Sequence, residues 1–319
     1  MENQCIGLAE AVGIRWAARH VRRPRKPLSY LPPGFWPHPL RRRARDGCLA
    51  PPWPDLLISS GRGSVAAALA IRDASGGKTF AVHIQTPYVN SSRFNLIVMP
   101  QHDVLRGDNV LVTLTALHRV TSRRLDEAAQ SFRPLLSHLA LPVIAVLVGG
   151  SRKRQECSTE SMHRLVHLLA AAVRECDGSL AVTASRRTGA GNEKILRDYL
   201  QSVPSFFWDG TGENPYFGLL ALADAIVVTS DSISMVSEAC ATGKPVYVFS
   251  IGGEDRKLLK FHKLLLDRGL TRPFVGTIER WSYERLDETG RIAAVVSERF
   301  GAHLRSYSKG PEITSRRFA

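Results

Sequence analysis

The 319-residue chain has few cysteines, no long apolar run, no diphosphate-metal motif and one long stretch without any acid, and each absence excludes something. The five cysteines, Cys5, Cys48, Cys157, Cys176 and Cys240, are scattered, odd in number and never spaced Cys-x-x-Cys. That argues against a disulfide framework and a structural zinc site, and predicts a reducing, cytoplasmic setting. The longest apolar runs, such as 139–148 with Pro142 inside it, reach about half of the roughly 20 residues a spanning helix needs. The start, MENQCIGLAEAVG, carries Glu2 and Glu10 and no basic residue, so no signal peptide is expected. There is no Walker A motif and no Gly-x-Ser-x-Gly elbow. No Asp-x-Asp occurs, so a metal-bridged diphosphate is not expected and no metal ligands are assigned.

What is present in excess is positive charge: 43 Lys and Arg against 29 Asp and Glu, a formal net charge of +14. Ten of the cations fall between Arg15 and Arg45, where there is no acidic residue, and Trp16, Tyr30, Phe35, Trp36 and Trp53 lie in or beside that stretch. The segment reads either as a solvated basic loop or as a contact for an anionic membrane surface or anionic acceptor, at about 1 kcal/mol per basic residue near a charged bilayer. Nucleic acid is not expected, because no recognition helix, zinc finger or RNP signature accompanies the charge.

Hydrophobic periodicity alternates strand and helix. Residues 4–12 read as a helix with no strand before it, so a first strand is expected to be missing, and 15–21 read as a possible strand. A proline-rich irregular segment, 22–54, follows. Strands are predicted at 55–59, 79–84, 94–99 and 109–113, with helices at 64–73 and at 122–137, the latter interrupted near Pro134. A second alternation places strands at 143–148, 179–184, 205–208, 225–229 and 246–249. Its helices fall at 159–176, 191–200, 216–223, 232–241, 256–268 and 287–300. Two runs of βα units imply two parallel-sheet domains, 1–141 and 142–319, with a C-terminal helix that can cross back to the first. Ligand is then expected at the carboxyl ends of the strands, in a cleft between the domains.

Gly61-Arg62-Gly63-Ser64-Val65-Ala66 follows a strand and opens a helix, as a dinucleotide fingerprint does, but the next strand ends His83-Ile84-Gln85 without the acid that would hold a ribose. A glycine turn admitting an anion or acceptor fits better. Gly149-Gly150-Ser151, followed by Arg152, Lys153 and Arg154, ends the first strand of the second domain and is either a plain turn or a phosphate cradle. Arg186 and Arg187 end the next strand and would converge on the same edge. Thr229-Ser230-Asp231-Ser232 leads from a buried strand to a helix start that suits a diphosphate. Ser234 and Glu238, four apart, share a helical face. A carboxylate there accepts both hydroxyl protons of a ribose, or is a solvated Glu on a capped helix. His83, His102 and Asp103 near strand ends are candidate bases, while His163 and His167 read as surface residues.

The strand, the Ser/Thr-rich turn, Val236-Ser237-Glu238-Ala239 and Gly243-Lys244-Pro245 resemble the nucleotide-sugar site of GT-B glycosyltransferases, a group including the transferase that makes lipid II, and of UDP-GlcNAc 2-epimerases. More narrowly, further segments resemble the family named for the plant elongated-mitochondria fission protein. These are Asn3-Gln4 with 7–11, Gln85-Thr86-Pro87, Pro100-Gln101-His102-Asp103, Gly149-Gly150-Ser151, Thr183 with 185–188, Glu213-Asn214-Pro215-Tyr216, and the segment 231–245. The resemblance spans nearly the whole chain and implies a GT-B-like α/β fold of two Rossmann-like parallel-sheet domains facing across a cleft. It implies a nucleotide-diphosphate sugar as substrate, with no separate cofactor. Gly149, Gly150, Ser151, Arg186, Arg187, Asn214, Tyr216, Thr229, Ser232, Ser234 and Glu238 would hold the sugar nucleotide, Glu238 on the ribose. Asp103 or His102 would serve as base toward a lipid-linked or glycan acceptor. Epimerisation of the nucleotide sugar and a non-catalytic adaptor that recruits a protein partner are the alternatives.

Overall fold

The computed structural model describes residues 1–21, 24, 26–36, 49–151, 155 and 157–308. The chain divides into two compact units, Met1–Arg119 with Glu288–Ala319, and Val120–Asp287. Both are Rossmann-like: parallel strands joined by helices, the α/β class read from the sequence.

In the first unit β1 (Leu56–Ser60), β2 (Phe80–Ile84), β3 (Leu96–Pro100) and β4 (Val110–Thr113) form a four-stranded sheet in that order, every pair parallel. Alternate β2 residues face opposite sides. Phe80, Val82 and Ile84 meet Leu8 of α1 (Glu2–Val12) and Ile292, Ala293 and Val296 of the C-terminal helix, which spans Glu288–Ser308. Ala81 meets Val65, Ala68 and Leu69 of α2 (Val65–Ala74) on the other face. Helix α1 ends at Gly13, whose φ of 78° is a left-handed conformation that favours glycine. The possible strand at 15–21 does not form: residues 13–20 are exposed and lie on no sheet edge.

In the second unit six parallel strands run β10-β9-β8-β5-β6-β7. They are β5 (Val143–Val148), β6 (Ser179–Ala184), β7 (Ser205–Phe207), β8 (Ala225–Thr229), β9 (Val246–Phe249) and β10 (Arg272–Pro273). Strands β5 and β8 are buried along their whole length, as a sheet covered on both faces requires. Helices α3 (Ser122–Leu136), α4 (Thr159–Cys176), α5 (Ala190–Leu200), α6 (Tyr216–Leu222), α7 (Ile233–Cys240) and α8 (Arg256–Asp267) connect them, and Glu288–Ser308 is α9. Helix α4 inserts Leu165, Leu169, Ala172 and Val173 into the core, and Ser158 caps it by accepting from the Ser161 N–H.

The domain boundary differs from the expected Leu141. It falls at Arg119–Val120, because α3 packs on α6 of the second unit. A Cβ on Gly218 would lie 2.6 Å from Phe132, and the Arg124 guanidinium sits 5.1 Å from the centroid of the Phe217 ring. Nor does Pro134 interrupt α3, which runs to Leu136 and ends within a turn of it. Among the described residues no helix is long and apolar enough to cross a membrane.

Candidate functional site

The carboxyl ends of β5, β6 and β8 bring three sequence segments together. Gly149 and Gly150 leave β5, Arg186 and Arg187 leave β6, and Thr229 to Ser232 leave β8. Asp231, which sequence reasoning did not single out, ties them to each other. It is fully buried, and its carboxylate accepts from the Gly150 N–H at 3.1 Å and the Thr229 hydroxyl at 2.7 Å. The Arg187 guanidinium lies 3.1 Å from it. The Thr229 oxygen in turn accepts from the Gly149 N–H at 2.8 Å.

The glycines are needed for this closeness. A Cβ on Gly149 would stand 2.2 Å from an Asp231 oxygen, and one on Gly150 would stand 2.1 Å from the Arg187 carbonyl oxygen. That carbonyl also accepts from the Ser151 N–H at 3.2 Å. The expected anion cradle is therefore corrected. All four donors are taken up inside the protein: the Gly150 N–H and the Thr229 hydroxyl by the buried Asp231 carboxylate, which demands donors, the Gly149 N–H by the Thr229 oxygen, and the Ser151 N–H by the Arg187 carbonyl. Arg187 pairs with Asp231, and both it and Arg186 are exposed. Arg152, Lys153 and Arg154 lie outside the described residues.

The segment 225–249 delivers the other half of the site. Ser232 is the N-cap of α7, its hydroxyl accepting from the Met235 N–H at 3.3 Å. Ser234 and Glu238 follow on one face. Glu238 is 6% exposed, and its Oε2 accepts from the Tyr216 hydroxyl at 2.5 Å. Burial pushes the Glu238 carboxyl up to about 7, with the Tyr216 hydrogen bond opposing the rise. Burial and the neighbouring carboxylate push the Tyr216 phenol well above its ordinary value. Tyr216 is positioned by the turn before it, where its N–H donates to Asn214 Oδ1 at 3.0 Å.

Lys244 holds α6 from its other end. Its ammonium donates to the carbonyls of Ala221 and Ala223, closing the helix C-terminus where a cation is favoured. Burial pulls this ammonium down to about 8. The Gly-Lys-Pro motif thus serves the helix that carries Tyr216. A second polar cluster adjoins: the Ser230 hydroxyl donates to Glu254 at 2.6 Å, and His262 Nε2 lies 2.7 Å from the Ser230 carbonyl oxygen.

The base candidates belong to the first unit. His102 and Asp103 lie in the turn after β3, where the Asp103 N–H donates to the Pro100 carbonyl at 2.9 Å and Arg106 donates to the carbonyls of Gln101 and Asp103. His83 is a core residue. It is fully buried, its Nδ1 lies 2.9 Å from the Ser59 hydroxyl, and its ring tilts against Phe94. Burial lowers its pKa to about 4, so it stays neutral.

The family model described as "Mitochondrial fission ELM1" matches residues 1–300. Mitochondrial fission protein ELM1 of Arabidopsis thaliana is 32% identical over 276 residues, covering 78% of this chain and 64% of that protein. An uncharacterized protein of Rickettsia prowazekii (strain Madrid E) is 27% identical over 205 residues, covering 61% of this chain and 57% of its own. The chain spans less than two thirds of the length of these curated relatives. Among solved structures, UDP-GlcNAc 2-epimerase from Methanocaldococcus jannaschii aligns with a TM-score of 0.49 at 15% identity, over 81% of this chain and 79% of that one. MurG of Acinetobacter baumannii aligns with a TM-score of 0.41 at 12% identity, over 79% of this chain and 69% of that one.

Proposed function

The chain belongs to the mitochondrial fission ELM1 family, and we propose that it binds a nucleoside-diphosphate sugar on its second unit and transfers the sugar to an acceptor without a metal. The observation that carries this reading is Glu238, a carboxylate 6% exposed on a helix at the end of a parallel strand, with Ser234 one turn before it and the Tyr216 hydroxyl on one oxygen. A buried carboxylate is costly unless donors reach it. In this reading the two ribose hydroxyls are those donors.

The diphosphate then sits at the start of α7, beside Ser232 and Ser234, where the helix dipole favours negative charge. Arg186 offsets charge developing on the leaving diphosphate. Arg187 contributes less, because Asp231 already neutralises it in part. Asn214 holds the turn that presents Tyr216. His102 or Asp103 acts as base toward the acceptor, which the basic segment 15–45 would let the protein meet at an anionic membrane surface.

A second reading is a non-catalytic adaptor that keeps the fold. It is favoured by the same turn: the amides of Gly149, Gly150 and Ser151 are hydrogen-bonded within the protein. A panel of nucleotide sugars separates the two readings. Transfer predicts a thermal shift with one nucleotide class and sugar on an added acceptor. A shift without product supports the adaptor, and no shift with any nucleotide contradicts the proposed site.

A further inference from the structure

The glycine-rich turn after β1 carries an arginine that reaches back to an earlier segment of the chain. Arg62 Nη2 donates to the carbonyls of Tyr30 at 2.8 Å and Leu31 at 2.7 Å. Its guanidinium lies 5.9 Å from the ring centroid of Trp36 and 5.5 Å from that of Tyr88. Arg62 thereby clasps the segment 27–36, which makes two short 3-10 turns, Leu28–Tyr30 and Pro33–Phe35. Trp36 closes the strap on itself, its indole N–H donating to the Leu31 carbonyl at 2.7 Å.

The clasp decides which side chains face water. Pro33 and Trp36 are turned inward and buried. Tyr30 is left 67% exposed, Leu31 44% and Phe35 74%, with Tyr88 beside them at 58%. A cluster of large apolar side chains held out in solvent marks an interaction surface. Lys26 adds a cation, its Nζ 5.8 Å from the Tyr30 ring centroid. The sequence on either side of the strap selects the partner: from Arg15 to Arg45 it holds ten Lys and Arg and no acid, of which Arg15, Arg19 and Lys26 lie among the described residues. Exposed rings within a basic, acid-free stretch of sequence match an anionic bilayer, where rings settle at the headgroup level and cations lie near lipid phosphates.

We infer that the strap 27–36, clasped by Arg62, is a membrane-docking element that inserts Tyr30, Leu31 and Phe35 into the interface of an anionic bilayer. This deepens the proposed encounter with a membrane-borne acceptor and does not depend on sugar transfer. Arg62 is the positioning residue: it fixes the strap and leaves the membrane contact to others.

The test is flotation of the full chain with vesicles of phosphatidylcholine alone or mixed with phosphatidylglycerol, across a salt series. Wild type is expected to bind only the anionic vesicles and to retain part of that binding at high salt. The double variant Tyr30→Ser/Phe35→Ser keeps every charge and is expected to weaken partitioning at least ~tenfold at all salt concentrations, as loss of two inserted side chains demands. Arg62→Gln is expected to weaken it more than Arg93→Gln, which removes an equal charge from an exposed ion pair with Asp73. Thermal melts and nucleotide-sugar binding of the same variants are expected to stay at wild-type values, which keeps this outcome separate from the fate of the sugar site. Unchanged binding by the double variant, equal binding to neutral vesicles, or no binding at low salt would each overturn the inference.

Discussion

The Tyr216 hydroxyl at the start of α6 donates to Glu238 Oε2 on α7 at 2.5 Å, joining two helices that follow different strands into one carboxylate site. Tyr216→Phe removes that donor and keeps the ring. The Glu238 carboxyl is then expected to rise above about 7, since the lost hydrogen bond favoured the charged form. Affinity for a nucleotide sugar should drop several-fold at pH 7, because a smaller fraction of the carboxyl is then ionised and able to accept the ribose hydroxyls. At pH 8.5 much of the loss should be recovered. Calorimetry at the two pH values checks this, and an equal loss at both would contradict the assignment.

Folding stability should carry the signature of the same carboxyl. Its folded value, about 7, lies above the ordinary 4.5, so the folded state binds the extra proton between those values. Stability contributed by this group is therefore present below about pH 4.5 and lost as the pH rises to about 7. The amplitude is on the order of 3 kcal/mol. Glu238→Gln removes that dependence, so urea melts should show the variant gaining on wild type between pH 5 and pH 8. A constant difference across that range would refute it.

Much of the fold is legible in the sequence, for identifiable reasons. The strands at 143–148, 179–184, 225–229 and 246–249 and the helix at 159–176 fall where the periodicity puts them. Long buried apolar runs and a clear helical face leave little freedom. The domain boundary is not legible, because the amphipathic face of α3 does not say which unit it covers. Phe132 meets Gly218 through a contact remote in sequence. Gly149-Gly150 signals a close approach but not what approaches. Here it is the Asp231 carboxylate and the Arg187 backbone, where the sequence left open a plain turn or a phosphate cradle. Asp231 itself stands among hydroxyls before a helix, in a turn whose sequence suits a diphosphate. Only its burial reveals the link to the ends of β5 and β6.

Asp231 is predicted to be structural. Asp231→Ala strips partners from the Gly150 N–H, the Thr229 hydroxyl and Arg187. Removing one member of a buried charged network typically costs about 3–5 kcal/mol. Gly149→Ala should be comparably harmful, since its Cβ would fall 2.2 Å from an Asp231 oxygen. Chemical denaturation checks both, and a change within about 0.5 kcal/mol, the scale of a neutral surface substitution, would exclude this role.

Metal removal offers an independent check. With no Asp-x-Asp in the chain, and with Arg186 and the start of α7 proposed to offset the charge of the diphosphate, turnover on an added acceptor should survive EDTA. Turnover abolished by the chelator and restored by magnesium or manganese would reverse this expectation.

Binding of a UDP-sugar series by isothermal calorimetry, wild type against Glu238→Ala, bears most directly on the sugar-nucleotide site. Near pH 8 the carboxyl is mostly ionised, and both ribose hydroxyls have an acceptor. Binding by the variant is expected to be at least ~tenfold weaker. The corresponding 2′-deoxy nucleotide is expected to bind wild type more weakly, a preference the variant loses. A folded Glu238→Ala protein that binds the same nucleotide with unchanged affinity and unchanged ribose preference would contradict the proposed site.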